Sequence, residues 1–89
     1  MGKLVNLGFE FNGSFYYTLI HMKQKDGWKE YYVTVMNGDL EKLLYGNHVI
    51  KEINGEIIED ISPRSMEQAK LKTQITKALS IHLKNSQLK

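Results

Sequence analysis

The sequence predicts a single α+β domain over residues 1–84: an antiparallel sheet, made of a three-stranded meander and a second short hairpin, with a short helix and one long C-terminal helix packed on one sheet face. Asn-Gly and Asp-Gly steps separate stretches rich in aromatic and β-branched residues. Apolar residues alternate along the first of these stretches. The C-terminal third repeats its apolar residues at helical spacing, and the polar residues 85–89 predict a flexible tail.

The meander is predicted from two turn dipeptides, Asn12-Gly13 and Asp26-Gly27, taken as two-residue hairpin loops. These loops determine every cross-strand pair, beginning with Phe11 opposite Ser14 and Lys25 opposite Trp28. The same register sets Lys23 directly opposite Glu30, and opposite charges are favourable at such a pair.

This register separates two sheet faces. The first face is a continuous apolar surface and is the predicted core face: Val5, Leu7, Phe9, Phe11, Tyr16, Thr18, Ile20, Met22, Tyr31, Val33 and Val35. The second face is mixed: Asn6, Gly8, Glu10, Phe15, Tyr17, Leu19, His21, Lys23, Glu30, Tyr32, Thr34 and Met36. A slip of one residue in either hairpin would mix the two sets, so the turns and the apolar pattern agree.

A short helix and a second hairpin are predicted after the meander. Leu40, Leu43 and Leu44 recur at helical spacing, and Gly46-Asn47 can end that helix. Residues 48–61 then resemble two short strands around Asn54-Gly55. Neither strand alternates cleanly, so the sequence leaves the register of this hairpin open.

The C-terminal helix has two possible starts. Ser62-Pro63 offers an N-cap followed by proline at the first helical position, and Ser65 with Gln68 offers a capping box. The predicted helix ends near Lys84. Its predicted apolar stripe consists of Leu71, Ile75, Ala78, Leu79 and His82.

Composition limits the class of protein. The 89 residues include no cysteine, which excludes disulfides and thiolate metal sites and favours a cytoplasmic location. The N-terminus lacks the apolar core of a signal peptide, and no apolar run is long enough to span a membrane. We therefore expect no membrane association. A chain this small has a thin stability margin, which makes a homodimer attractive.

Charge is distributed unevenly along the chain. Residues 1–60 carry six Lys against nine Asp and Glu, or −3, whereas residues 61–89 carry five Lys and one Arg against one Glu, or +5. Lys70, Lys77 and Lys84 recur every seven residues and form one helical stripe. This stripe is either a solvated face or a row that binds phosphates of a nucleic acid. Both interpretations stay open.

One sheet face remains to be covered, because a single long helix covers only the core face. The candidate interface residues on the second face are Phe15, Tyr17, Leu19, Tyr32 and Met36. Two interpretations are open: residues 39–61 fold over this face, or another copy or another protein covers it. On either interpretation we expect this face and the lysine stripe to lie on opposite sides of the molecule, which argues against a joint nucleic-acid site.

No motif for catalysis, for a metal or for a cofactor stands out. The three histidines, His21, His48 and His82, do not pair at a ligand spacing such as i, i+4. Glu59 and Asp60 are adjacent on a predicted strand and would point to opposite faces. We therefore expect no enzyme activity, no metal site and no cofactor.

The functional prediction from the sequence is a small non-enzymatic interaction or adaptor protein. It would self-associate or bind another protein through the aromatic sheet face or through an exposed sheet edge. The alternative is a nucleic-acid-binding protein that uses the basic C-terminal helix.

Overall fold

A computed structural model of the chain describes residues 3–45, 47–58 and 65–87. It contains five strands and two helices. In chain order they are β1 (Lys3–Phe11), β2 (Ser14–Lys25), β3 (Trp28–Val35), α1 (Gly38–Leu43), β4 (Val49–Ile53), β5 (Glu56–Ile58) and α2 (Met66–Gln87). The predicted α+β fold class is confirmed.

The five strands form one antiparallel sheet in the order β1-β2-β3-β4-β5. The predicted meander register is confirmed, with Phe11 opposite Ser14 and Lys23 opposite Glu30. Asn12 and Gly13 have φ angles of 50° and 81°, as a two-residue turn of type I′ requires. Asn12 tolerates this left-handed conformation because its short polar side chain costs less there than a bulky one.

The second hairpin extends the sheet in its own plane. β4 pairs with β3, placing Ile50 opposite Tyr31, and Asn54-Gly55 forms a tight turn that sets Ile53 opposite Glu56. This arrangement makes β5, only three residues long, the second edge of the sheet. β1, with nine residues, is the first edge.

The hydrophobic core lies between α2 and one face of the sheet, which we call the inner face. The predicted core face of the meander is this inner face, and most of its side chains are buried. From α2 the fully buried residues are Leu71, Ile75 and Leu79, which belong to the predicted stripe. Thr18, the one short polar side chain of the predicted core face, donates a hydrogen bond to the carbonyl oxygen of Thr34 at 2.9 Å, which satisfies it.

The short helix α1 packs on the inner side as well. Asn37 caps it by accepting a hydrogen bond from the backbone N–H of Leu40 at 3.1 Å. Leu40 and Leu44 enter the same core cluster as the buried residues of α2. The prediction that residues 39–61 could cover the opposite face is therefore wrong for α1 and for the second hairpin, because α1 joins the core and the hairpin lengthens the sheet.

The long helix begins at Met66, and Ser65 caps it by accepting a hydrogen bond from the backbone N–H of Gln68 at 3.1 Å. The second of the two predicted starts is thus the one observed, and Ser62-Pro63 lies outside the described residues. The helix continues to Gln87, three residues past the predicted end. Within the described ranges, no helix combines the length and the apolarity needed to cross a membrane.

Candidate functional site

The candidate site lies on the sheet face opposite α2, which we call the outer face. Alternation along the strands directs every second side chain of β1, β2 and β3 to this face. Both described helices contribute to the core on the inner face, so neither covers it. The outer face carries large side chains that are exposed to solvent.

Three exposed apolar side chains gather at one end of the outer face. Phe15 is 60% exposed, Tyr17 54% and Met36 60%, and Leu19 is partly buried beside them. The rings of Phe15 and Tyr17 meet edge to face, with centroids 5.4 Å apart. The backbone N–H of Met36 donates to the carbonyl oxygen of Tyr17 at 2.9 Å, which holds Met36 next to that tyrosine. We call Phe15, Tyr17, Leu19 and Met36 the apolar patch.

Gly8 determines where the Phe15 ring lies. A Cβ atom at residue 8 would come within 2.3 Å of Phe15 Cζ, so only glycine leaves room for the ring in this position. Phe15 is paired with Glu10 and leans diagonally across Gly8 of β1. Covering an edge glycine with an aromatic ring is a known way to fill the gap that the missing side chain leaves.

A polar network occupies the outer face beyond the apolar patch. The Glu30 carboxylate accepts a hydrogen bond from Tyr32 Oη at 2.6 Å and another from Trp28 Nε1 at 3.2 Å. Lys23 Nζ lies 4.9 Å from the centre of the Tyr32 ring, a cation–π contact. Lys25 Nζ lies 3.9 Å from the Glu30 carboxylate, a weak surface ion pair. We call Lys23, Lys25, Trp28, Glu30 and Tyr32 the polar band.

Hydrogen bonding shifts two pKa values in the polar band. The hydrogen bond from Tyr32, and then the one from Trp28, lower the pKa of the Glu30 carboxyl because both stabilise the ionised form. The same bond raises the pKa of Tyr32, because the neutral phenol is the donor that the carboxylate requires. At neutral pH the Glu30 carboxyl of the polar band is therefore ionised, and the Tyr32 phenol is neutral.

The structure brings four of the five predicted interface residues together in the apolar patch. Tyr32 shares their face but is half-buried, and its hydroxyl and ring are engaged by Glu30 and Lys23. Its partners in the polar band follow from the register, because Tyr32 lies directly opposite His21, next to the Lys23 and Glu30 pair.

The predicted lysine stripe is exposed on α2, but its position relative to the aromatic face differs from the expectation. Lys77 and Phe15 line the same groove, although we expected their surfaces on opposite sides. The reason is that α2 packs over β1, which is an edge strand. One flank of the helix therefore lies beside the sheet edge that Phe15 reaches from the outer face.

Three buried polar side chains, Glu52, Lys72 and Gln68, have roles that the sequence pattern does not predict. Tyr31 Oη donates to Glu52 Oε1 at 2.7 Å, and burial, followed by this bond, raises the pKa of Tyr31. Lys72 Nζ donates to the carbonyl oxygen of Val49 at 3.0 Å. Gln68 Nε2 donates to two carbonyl oxygens at the end of α1, 2.9 and 3.2 Å away. Glu52 follows Ile50 by two residues in β4, so alternation along the strand directs both side chains to the inner face.

The histidines do not form a site in the structure. His21 is half-buried opposite Tyr32, His82 is half-buried on α2, and His48 Nε2 lies 3.1 Å from Glu41 Oε2 just before β4. Across the described ranges, no group of three or more His, Asp or Glu side chains is placed to hold a metal ion.

Comparison with protein-family models, with curated proteins and with solved structures finds no match to this chain. The candidate functional surfaces of the described residues are therefore the outer face and the flank of α2 beside β1.

Proposed function

We propose that this protein is a non-enzymatic interaction protein that self-associates through the apolar patch of its outer face. The observation that supports the proposal is the exposure of Phe15, Tyr17 and Met36, each more than half exposed, on a face that the described elements leave uncovered. Monomeric proteins rarely expose a contiguous apolar patch of more than a few hundred Å². Tyr and Phe are also typical anchors of protein interfaces.

A second copy of the chain is the partner that best fits such a patch. A copy is always present at the same concentration as the chain itself, so the apolar surface is covered without depending on another component. A two-fold axis through the patch would place the same residues on both sides, as in most homodimers. The polar band would then lie at the rim, where charged side chains remain in water.

The size of the patch predicts a dimer of modest strength. The side chains of Phe15, Tyr17 and Met36 are each more than half exposed, which corresponds to on the order of 300 to 400 Å² per copy. Specific interfaces bury about 800 Å² per partner, so neighbouring residues of the outer face must contribute the remainder. We therefore expect association that depends on protein concentration.

Light scattering across a range of protein concentrations, at low and high salt, tests the proposal. A dimer that persists at high salt supports an apolar interface, because salt weakens contacts between charges and not contacts between apolar groups. A monomer at every concentration contradicts self-association and leaves a different protein as the partner of the patch. The cysteine-free composition fits a reducing compartment, and we propose that the protein acts in the cytoplasm.

The second candidate function is nucleic-acid binding by the lysine stripe of α2. The observation that favours it is the groove shared by Lys77 and Phe15, because a cation beside an exposed ring suits a phosphate next to a stacked base. Three phosphate contacts predict a slope of about −3 when the logarithm of affinity is plotted against that of salt concentration. Titration with single-stranded DNA at low salt measures this slope, and no binding would rule the candidate out.

A further inference from the structure

The two edges of the sheet are very different. β5 is three residues long, and short edge strands are one way in which proteins avoid unwanted pairing. β1 is nine residues long, contains no proline, and pairs with β2 one residue for one from Lys3 to Phe11 without a bulge. None of the described elements pairs with the other side of β1. It is therefore an open template for another strand.

The hairpin turn determines which backbone groups of β1 are free. In a type I′ turn of two residues the closing pair is hydrogen-bonded, so Phe11 and Ser14 exchange their backbone bonds. Hydrogen-bonded pairs then alternate along the ladder with pairs that do not bond to each other. The residues of β1 whose N–H and C=O groups point away from β2 are Leu4, Asn6, Gly8 and Glu10.

A groove follows this free edge. Part of it, about 300 Å³ in volume, is lined by Gly8, Phe9, Glu10 and Phe15 on the sheet and by Gln74, Lys77, Ala78 and Ile81 on α2. A second part, about 400 Å³, lies between residues 11–12 and the first turns of α2, including Lys70. Phe15 is on the outer face whereas α2 covers the inner face, so a groove lined by both lies at the edge itself.

The walls of the groove suit an extended peptide. The Phe15 ring, held over Gly8, offers an apolar surface on the outer side, and Ile81, 56% exposed, offers another on the side of α2. Side chains of an added strand alternate between these two sides. Backbone bonds would supply affinity and the two walls would supply selectivity, as in other cases of strand addition.

Charge selects the occupant. Lys70 and Lys77 are exposed on the flank of α2 that lines the groove, and Glu10 is the one acidic residue among the described lining residues. A second copy pairing β1 with β1 would bring two such flanks together, because α2 lies along β1, and the lysines would repel. An acidic segment has the complementary charge.

We propose that the free edge of β1 binds an extended acidic segment of another protein, which adds to the sheet as a sixth, antiparallel or parallel, strand between Phe15 and the lysines of α2. This site shares Phe15 with the apolar patch, but a dimer through the outer face leaves the free backbone groups at the edge of β1 open. The protein would then present one such edge per copy.

A labelled synthetic peptide as long as β1, alternating glutamate with valine, is the probe. Fluorescence anisotropy at low salt measures its binding to the full chain, and amide chemical shifts locate it. We expect saturable binding with one peptide per chain and the largest shifts at Asn6, Gly8 and Glu10. A matched peptide with lysine in place of glutamate should bind at least about fivefold more weakly.

Asn6→Pro tests the backbone contact. Asn6 is exposed and its N–H points away from β2, so proline removes an edge donor and leaves the β1–β2 bonds in place. We expect the affinity for the acidic peptide to fall about tenfold or more relative to Asn6→Ala, which retains the N–H. Equal affinities of these two variants would overturn strand addition.

Lys77→Glu tests the charge, with Lys42→Glu as the matched control because Lys42 is also exposed but lies on α1, away from the groove. We expect Lys77→Glu to lower the affinity for the acidic peptide about fivefold and Lys42→Glu to leave that affinity unchanged. Equal effects of the two substitutions, or no saturable binding by the wild-type chain, would overturn the proposal.

Two further measurements separate this proposal from the others. Solution mass should be unchanged by Asn6→Pro; a lower mass would mean that β1 pairs with β1 of a second copy, which overturns the choice of occupant. Single-stranded DNA would be the ligand of the groove if it bound more tightly than the peptide and if Asn6→Pro left its affinity unchanged. That result would overturn the proposal of an acidic segment. A monomeric wild-type chain that still binds the peptide would sustain the edge site and contradict only self-association.

Discussion

Removing the apolar patch should abolish self-association without unfolding the chain. The test is the double substitution Tyr17→Ala with Met36→Ala, chosen because both side chains are more than half exposed and make no side-chain hydrogen bond to a described residue. Tyr32 is less suitable, since its hydroxyl is bonded to Glu30 and its removal would disturb the polar band as well.

The size of the effect follows from the exposed area of Tyr17. About half of its 150 to 250 Å² is exposed, so its burial in an interface contributes about 2 to 3 kcal/mol at 25 cal/mol per Å². A two-fold interface contains each residue twice, which makes about 4 to 6 kcal/mol for Tyr17 alone. The dissociation constant of the dimer should therefore rise about 10³- to 10⁴-fold.

Light scattering measures the loss of the dimer, and thermal unfolding of the diluted protein measures the stability of the chain. Ile81→Ala is the matched control, because Ile81 is similarly exposed but lies on α2. We expect the control to remain dimeric and both variants to keep the stability of the diluted wild-type chain within about 0.5 kcal/mol per substitution. An unchanged dimer in the double variant would refute the assignment, and a loss of several kcal/mol in the monomer would mean that Tyr17 belongs to a core.

Three further predictions concern the polar groups. Tyr31→Phe should lower the free energy of unfolding by about 1 to 3 kcal/mol in chemical denaturation, because the buried Glu52 carboxylate loses its donor, and Glu52→Leu in the same chain should recover part of the loss. Gln68→Ala should cost about 2 kcal/mol and speed amide hydrogen exchange at the end of α1, since two carbonyl oxygens lose their donor; unchanged exchange there would contradict this role. The fluorescence of Trp28, the one tryptophan, should titrate with a midpoint below 4.5, the ordinary pKa of glutamate, and Glu30→Gln should remove the transition. Stability from this group is fully present above 4.5 and is lost as the pH falls through the lowered pKa.

The meander could be predicted because local and global signals agree in it. Asn12-Gly13 and Asp26-Gly27 each define a register, and each register places the apolar residues on one face. The second hairpin has no such agreement. Val49 and Ile50 are adjacent apolar residues, as are Ile57 and Ile58, so the pattern does not tell which member of each pair points inward.

The candidate site was predictable only as a set of residues on one face. The sequence indicates that Phe15, Tyr17 and Met36 share a face, but whether β4 folds over that face or pairs beside β3 depends on long-range contacts. The groove beside β1 depends on the same kind of information. Nothing local to Lys77 indicates that α2 lies along an edge strand and not across the middle of the sheet.

The order of the strands in the sheet is also their order along the chain, and this has a consequence for how the protein is made. Each strand pairs with the one synthesised just before it, so the sheet can assemble hairpin by hairpin as the chain leaves the ribosome. The buried residues Leu71, Ile75 and Leu79 are synthesised after all five strands. Until they arrive, both faces of the nascent sheet are exposed to water, and this interval is when the chain most needs protection from aggregation.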